Sequence, residues 1–394
     1  MRKKPLIFLA FSALTLASCS YNPFNDFTGI EFSFDGLSPF SVTQYDSKII
    51  WERNEDCDYY EVYFTYPSSS SSSKSSSSSA SKKTPDLVTT DCCATISSSL
   101  AGGKAKVVGY SLEGTSLEAR KICEKTISLV KKTSTKKTGT SSDPIVTKTI
   151  NNDTMNSTVT SVTIASTVDE VYISNITGSH RIVFNPRANG NHVKVHLSNV
   201  NLIYSGGVPV IDYNGTNKNV DFYFDISGTN TLSMDPVTSS SMTVFSTISV
   251  PNAIFYSGDG GLTVTGGARK YSGVTGDEGY AIKTNKIVSF LNKDQVQLIG
   301  GKGGDGEKSY MGGAIGRLPI NKDVKVQTAY KNTIGLKAGD GGKGGANANG
   351  GNAYSYSYLT NVAYKKYALS FYRIAEAVPG AAGSGGKQGT FITE

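Results

Sequence analysis

The residues best suited to bind a ligand combine aromatic rings with positive charge near the C-terminus. They are Tyr354, Tyr356, Tyr358, Lys365, Lys366 and Arg373. Alternate residues of a strand share one face, so the three tyrosines would present their rings together. Residues 300–394 hold 12 Lys and Arg against six Asp and Glu, a positive balance that would attract acidic sugars. The pattern predicts a carbohydrate-binding surface, with ring packing at the end of the fold as the alternative.

Acidic residues, most of them beside glycines, form a second set that could bind a metal. They are Asp259, Asp277, Glu278 and Asp305. Residues 300–305 (GGKGGD) fit the opening of a calcium-binding nonapeptide repeat, in which carbonyls and carboxylates of neighbouring turns surround the ion. The pattern occurs once, and its echo at residues 341–346 lacks the Asp. Glycine-rich corners are therefore the alternative to a calcium site.

The sequence offers no motif for catalysis. A polysaccharide lyase needs a carboxylate cluster that binds calcium, together with a Lys or Arg base. Asp277-Glu278 and Arg269-Lys270 lie close in sequence, but no phrase matches an active-site motif and no spacing singles out a carboxylate pair. Three histidines leave little material for an imidazole metal site. We therefore expect no catalytic residues and a protein that is not an enzyme.

The N-terminus predicts export and lipid attachment. Basic residues precede an apolar run over residues 6–16, which is too short to span a bilayer but suits a secretory signal. The run closes on Leu16-Ala17-Ser18-Cys19, which resembles a bacterial lipobox. We expect residues 1–18 to be removed as a signal peptide and Cys19 to carry the lipid. That lipid would anchor the chain to a membrane of the cell envelope, outside the cytoplasm.

Four further cysteines are available for pairing in that compartment. They are Cys57, Cys92, Cys93 and Cys123. Adjacent cysteines rarely bond to each other, so Cys92 and Cys93 would each pair with Cys57 or Cys123. Buried free thiols are an equal alternative.

Composition excludes several classes of protein. Of 394 residues 42 are Gly, about 11% against an average near 7%. Hydrophobic residues make up 38%, enough for a core, which argues against a disordered chain. The lack of a strict Gly-X-Y period argues against collagen. A basic, aromatic C-terminus also suits nucleic acid, but we expect none for a protein of the envelope.

Residues 19–130 predict a small β-sandwich. Runs that alternate apolar and polar residues cover 30–34, 48–51, 59–64, 104–110 and 119–129. Trp51, the 59–63 run and Tyr110 resemble the core positions of a fibronectin type III module, which implies a spacer or interaction domain. A serine-rich insertion at 68–81 has nothing to bury and predicts a flexible loop. A polar linker, 131–144, follows.

Residues 145–394 predict a coiled solenoid, glycine-rich towards the C-terminus. Short β runs recur without helical periodicity, and Val171, Val193 and Val220 mark successive turns at steps of 22 and 27 along the chain. Three strands per turn, with turns that lengthen later, are typical of a solenoid whose turns stack to bury their apolar faces. Asparagines recur near the predicted corners, where they can adopt left-handed torsions. They are Asn175, Asn199 and Asn201.

Three phrases in this region resemble one bacterial protein family. They are SGTNTL at 227–232, an Ala-Ile strand with a Gly-Asp turn across 253–267, and AIKT at 281–284. Their order is similar to that of the surface carbohydrate-binding-domain proteins, which are right-handed parallel β-helices related in fold to pectate lyases. The resemblance covers roughly residues 150–305 and implies polysaccharide binding, with calcium as a cofactor.

Together these features predict an all-β cell-surface lipoprotein. A fibronectin type III-like sandwich would precede a right-handed parallel β-helix that binds an acidic, pectin-like polysaccharide without catalysis. The alternatives are a polysaccharide lyase on the same fold and a protein-binding adhesin displayed by the sandwich.

Overall fold

The computed structural model describes most residues from 40 to 393. Its longer internal gaps are residues 68–83, 113–118, 131–144, 237–245, 271–278 and 360–372. The predicted signal peptide, Cys19, the serine-rich insertion and the linker lie outside the described residues. Within the part of the chain that is described, no helix is long and apolar enough to span a membrane.

Almost all of the regular secondary structure of the described residues is β-strand, which confirms the all-β prediction. Before residue 130 the strands are β1 (Val42–Tyr45), β2 (Lys48–Trp51), β3 (Tyr59–Thr65), β4 (Leu87–Thr89), β5 (Cys93–Thr95), β6 (Lys104–Ser111) and β7 (Arg120–Ser128). They form two antiparallel sheets, β1-β2-β5 and β4-β3-β6-β7, and a 3₁₀ turn at Ser98–Leu100 precedes β6. The strands predicted from residue 48 onward are confirmed, and we call residues 40–130 the N-terminal unit.

Trp51 lies in the core of the N-terminal unit and is 1% exposed. Its ring centroid is 5.5 Å from that of Tyr60, in an edge-on arrangement. Tyr60 is fully buried, and Phe40 stacks on it at 6.0 Å. Trp51 is therefore a packing residue, as its resemblance to a core position implied.

From residue 145 the described strands pair in parallel and fall into three series, one per side of each turn. The first contains β8 (Thr147–Ile150), β10 (Glu170–Gly178), β12 (His192–Tyr204), β14 (Asp221–Ser227), β17 (Ile254–Gly258), β20 (Ile287–Phe290) and β22 (Lys325–Thr328). The second contains the distal halves of β10 and β12, then β15 (Thr229–Met234), β18 (Gly261–Thr265), β21 (Val296–Ile299), β23 (Ile334–Lys337) and β25 (Arg373–Ala375). The third contains β9 (Ser161–Ile164), β11 (Arg181–Phe184), β13 (Ile211–Tyr213), β16 (Ile248–Ser249) and β19 (Ile282–Lys283). A short parallel pair, β24 (Ala353–Tyr354) and β26 (Phe391–Ile392), lies outside these series. The three parallel series fit the β-solenoid class.

Strand register gives the length of each turn. Residues in line along the first series are Glu170, Lys194, Tyr223, Phe255, Ser289 and Gln327, at steps of 24, 29, 32, 34 and 38. Lengthening of the turns is confirmed, but the predicted steps of 22 and 27 are each two residues short. A shift of two residues keeps the same face inward, so the hydrophobic pattern does not distinguish the two registers.

The added residues enter mainly one connection, between the second and third series. Only Ser179 and His180 separate β10 from β11, whereas residues 205–210 separate β12 from β13. Residues 235–247 separate β15 from β16, and residues 266–281 separate β18 from β19. The strands themselves keep nearly constant positions in each turn. The turns of the solenoid therefore become larger mainly at this connection.

Left-handed residues turn the chain between the first and second series. Asn175 and Asn199 have φ of 52° and 55°, and Gly228 has 62° in the next turn. The Asn199 side chain donates to that of Asn175 and accepts from the backbone of Thr229. The predicted corner role is confirmed for Asn175 and Asn199. It is wrong for Asn201, whose φ is not left-handed and which pairs in register with Thr231.

Aromatic rings stack through the interior along the solenoid axis. Phe224 and Tyr256 have ring centroids 5.1 Å apart, and Tyr256 and Phe290 repeat that spacing with planes only 7° apart. All three side chains are fully buried. Identical inward positions on successive strands produce this stack, because parallel strands repeat every 4.7–4.9 Å, or about one ring thickness plus a small offset.

After β21 the glycine-rich segments leave the strands and bond to one another. They are residues 300–306, 313–316, 339–345, 350–351 and 380–389, and we call them the glycine stack. Gly303 donates to the carbonyl of Asp340 at 2.8 Å, and Gly306 to that of Lys343 at 2.7 Å. The two donor amides are three residues apart, and both acceptors lie in another segment. This pattern fits polyproline II-like chains side by side, because that conformation repeats every three residues and has no hydrogen bonds within the chain. The strands β22, β23 and β25 continue the parallel pairing beside the glycine stack.

The N-terminal unit contacts the solenoid at the end of β22. The Cys92 amide donates to the carbonyl of Ala329 at 3.0 Å. Cys93 packs with Ile50 and Ala329, and Tyr330 lies against this cluster. Cys92 and Cys93 point to different surroundings, since Cys92 belongs to the main core and Cys93 to this contact.

Candidate functional site

Charged and aromatic side chains cover three turns on the outward side of the parallel sheet. We call this the ladder face, and its residues are Glu170, Tyr172, His192, Lys194, His196, Asp221, Tyr223 and Asp225. Side chains alternate along β10, β12 and β14, so buried apolar residues alternate with these more accessible ones. In-register pairing places Tyr172 beside His196 and His196 beside Asp225, although they are far apart in sequence.

His196 lies between two carboxylates at the centre of the ladder face. Its Nε2 is 3.3 Å from Glu170 Oε2, and its Nδ1 is 3.2 Å from Asp225 Oδ2. The imidazole stacks on the Tyr172 ring, with centroids 4.1 Å apart and planes within 3°. The Tyr172 hydroxyl donates to Glu170 at 2.9 Å, and Lys194 Nζ lies 3.6 Å from Asp225. These contacts hold the central rings and carboxylates in one arrangement.

The same contacts set the charge of the cluster. Burial alone would raise the pKa of the Glu170 carboxyl. Hydrogen bonds from Tyr172 and His196, together with electrostatic attraction from Lys194 and His196, outweigh burial, so the pKa of Glu170 is lowered. The hydrogen bond to Glu170, followed by burial, raises the pKa of Tyr172. At neutral pH the cluster therefore presents an ionised carboxylate beside a neutral phenol.

The contacts of the ladder face leave one aromatic ring accessible. Both nitrogens of His196 are directed at carboxylates. The Tyr172 side chain is 38% exposed, and its neighbour on the side away from His196 is the exposed Thr149. One ring face is thus open for stacking, with carboxylate acceptors beside it.

The aromatic and basic residues predicted near the C-terminus are only partly brought together. Tyr354 and Tyr358 have ring centroids 4.7 Å apart, and both pack half-buried against the core. The prediction that they alternate on one strand is wrong, because β24 ends at Tyr354 and Tyr358 lies in a helical turn. Arg373 begins β25 opposite Gly335. Tyr356, Lys365 and Lys366 lie outside the described residues.

Two of the four predicted calcium ligands, Asp259 and Asp305, lie within the described residues. Asp259 is exposed in the turn between β17 and β18, and its amide donates to the carbonyl of Ile226. Asp305 accepts from the Lys343 amide at 2.7 Å and pairs with Lys302 at 3.1 Å. Asp277 and Glu278 lie outside the described residues. Where the structure describes the chain, no three His, Cys, Asp or Glu side chains are arranged to hold a metal, and calcium binding stays a prediction.

Asp305 belongs instead to a series of side chains that link successive layers of the glycine stack. Asp340 accepts from the Val378 amide at 2.8 Å, Asn349 from that of Lys387 at 2.8 Å, and Asn352 from that of Thr390 at 2.9 Å. Each link spans 38 residues, as does that of Asp305 to Lys343. The Gly-Asp pattern around Asp305 and Asp340 therefore has a structural explanation within the stack.

Sequence reasoning missed the ladder face. Glu170, His196 and Asp225 lie on three successive turns of the solenoid, so no local motif joins them. The sequence did show polar residues at alternate positions of three predicted strands. Which of them lie side by side depends on the register between the strands, which the sequence does not give.

Comparisons with protein-family models, with curated proteins and with solved structures find no match to this chain.

Proposed function

We propose that this protein is a cell-surface lipoprotein, anchored through Cys19, that binds polysaccharide without catalysis along a right-handed parallel β-helix. The ladder face is the observation that carries the proposal. It combines an open aromatic ring, fixed carboxylate acceptors and cationic donors in rows that cross several turns. Such rows suit an extended ligand with many hydroxyl groups better than a compact one.

The charge of the ladder face favours a neutral or weakly charged glycan. Its acidic residues, Glu170, Asp221 and Asp225, are interspersed with Lys194 and two histidines. A polyuronate would meet carboxylates across the whole face, which disfavours it there. The acidic, pectin-like ligand expected from the C-terminal charge would instead depend on Lys365, Lys366 and Arg373.

The N-terminal unit supports the anchored arrangement. Its sheets of three and four strands, with Trp51 in the core, fit a fibronectin type III-like sandwich that would space the solenoid from the membrane. The contact at Ala329 would then hold the solenoid in a defined position relative to that spacer.

Binding of the full-length chain to a panel of neutral polysaccharides and polygalacturonate tests the proposal. Tyr172→Ala should weaken neutral-glycan binding about tenfold, since it removes the stacking ring. Tyr66→Ala is the matched control, because Tyr66 is 62% exposed but belongs to the N-terminal unit. It should leave the affinity unchanged.

Three results would refute parts of this proposal. Equal affinity in both variants, with circular dichroism unchanged, would remove the ladder face from the binding site. Unsaturated product absorbing in the ultraviolet would show lyase activity. Polygalacturonate binding that weakens with rising salt would transfer the site to the basic C-terminal residues, because salt screens exposed charges within about 10 Å at 0.1 M.

A further inference from the structure

Two buried cysteines of the N-terminal unit meet although they are far apart in sequence. Cys57 Sγ lies 3.7 Å from Cys123 Sγ, across a separation of 66 residues. Cys57 precedes β3 and Cys123 lies in β7, on either side of Gly109 in β6. Both side chains are at most 2% exposed.

Gly109 makes room for the two sulfurs. A Cβ at this position would lie 2.5 Å from Cys57 Sγ and 2.7 Å from Cys123 Sγ, closer than real Cβ contacts. Any other residue would therefore push the sulfurs apart. The three positions form one packing unit in which the glycine allows the thiols to approach.

We propose that Cys57 and Cys123 form a disulfide in the exported protein. The oxidant is a small-molecule or protein disulfide of the oxidising compartment, reacting by thiol–disulfide exchange. The Cys57 thiolate attacks that disulfide, forms a mixed disulfide and releases one thiol. The Cys123 thiolate then attacks the Cys57 sulfur and releases the second thiol. Two protein thiols are oxidised, one external disulfide is reduced to two thiols, and two protons pass from the cysteines to those products.

The two sulfurs must approach further to bond. A disulfide sets its sulfurs about 2.0 Å apart, and the two thiols lie at 3.7 Å. Because both sulfurs are buried, exchange takes place during folding, before β6 covers them.

The other two thiols are placed less favourably. Cys92 is buried in the main core, and the sulfur–sulfur contact in the described part of the chain is the one between Cys57 and Cys123. Cys93 lies at the contact with Ala329, away from this pair. The inference depends on export and is independent of polysaccharide binding.

Peptide mapping tests the pairing. The full-length chain is refolded with oxidised glutathione, alkylated in denaturant so that buried thiols also react, and digested without reductant. We expect one linked pair containing Cys57 and Cys123, lighter by two hydrogen atoms than the two free peptides, with Cys92 and Cys93 alkylated. Alkylation of both Cys57 and Cys123, or a link from either to Cys92, would overturn the proposal.

Thermal unfolding supplies a second test that does not depend on the map. Reductant should lower the unfolding midpoint of the N-terminal unit by about 10 °C or more, because the bond closes a long loop. The Cys57→Ala/Cys123→Ala double variant should not respond to reductant, whereas Cys92→Ala, the matched control, should respond like the wild type. Equal responses of the wild type and the double variant would contradict the bond.

Discussion

Gly342→Ala tests whether the glycine stack is as closely packed as the structure shows. A Cβ on Gly342 would overlap the carbonyl oxygen of Gly304 and lie 2.5 Å from its carbonyl carbon. It would also lie 2.7 Å from the oxygen of Gly303, and real Cβ atoms essentially never come within 3.0 Å of such atoms. The obstructing atoms are all backbone, so no side chain can rotate away. The layers must separate instead.

Separation would weaken the bonds that join the layers. Gly342 donates to Ala314 at 2.9 Å, and Gly351 donates to the Gly342 carbonyl at 2.7 Å. Two backbone hydrogen bonds at about 1 kcal/mol each, plus about 1–3 kcal/mol for overpacking, give a loss of about 3–5 kcal/mol. For a unit of some 250 residues this lowers the thermal midpoint by about 10 °C.

Gly261→Ala is the matched control for this experiment. Gly261 lies in β18, its φ is not left-handed, and a Cβ would meet only the carbonyl oxygen of Gln295, at 3.7 Å. Its midpoint, measured by differential scanning calorimetry on the full-length chain, should lie within about 2 °C of the wild type. A Gly342→Ala midpoint equally close to the wild type would refute the close approach of the layers.

Two further predictions concern buried and charged groups of the solenoid. The Tyr256 hydroxyl is fully buried and has no hydrogen-bond partner among the described residues, so Tyr256→Phe should raise stability by about 1 kcal/mol in thermal unfolding. Tyr213→Phe should lower it, because the Tyr213 hydroxyl accepts from the Arg187 amide at 3.0 Å, and a loss of stability in Tyr256→Phe would show a hidden partner. The lowered pKa of Glu170 means that its stabilisation is complete above the ordinary value of 4.5 and is lost as pH falls through the lower folded value. Glu170→Gln should flatten that part of the curve of unfolding midpoint against pH, and an unchanged curve would contradict the assigned contacts.

The alternation of apolar and polar residues was sufficient to predict where the strands lie, but not which residues pair between strands. The run predicted at 59–64 is β3, because alternating apolar residues identify a half-buried strand whatever it pairs with. The turn lengths were two residues short, since Val193 and Val195 both face inward and either satisfies the pattern. The ladder face follows from register, so it could not be predicted from residues that are individually ordinary.

The glycine-rich third could not be predicted for a different reason. Strand prediction depends on side chains that alternate between core and solvent, and the glycine stack has almost no side chains between its layers. Its partners lie a full turn away along the chain, as with Gly303 and Asp340. Read locally, residues 300–305 show no packing pattern, and the calcium motif was the only pattern they fitted.

The position at which the turns of the solenoid lengthen explains how the ladder face and the glycine stack can occur in one fold. Most of the added residues lie in the connection between the second and third series. This connection lengthens from Ser179-His180 after β10 to residues 266–281 after β18. Beyond β21, glycine-rich segments in this connection bond to each other through their backbones, as Gly303 does to Asp340. The first-series strands that carry Glu170, His196 and Asp225 keep their register throughout this growth. Changes in the connection between the second and third series should therefore leave the ladder face unchanged. We expect substitutions in the glycine stack to alter stability without altering the geometry around His196.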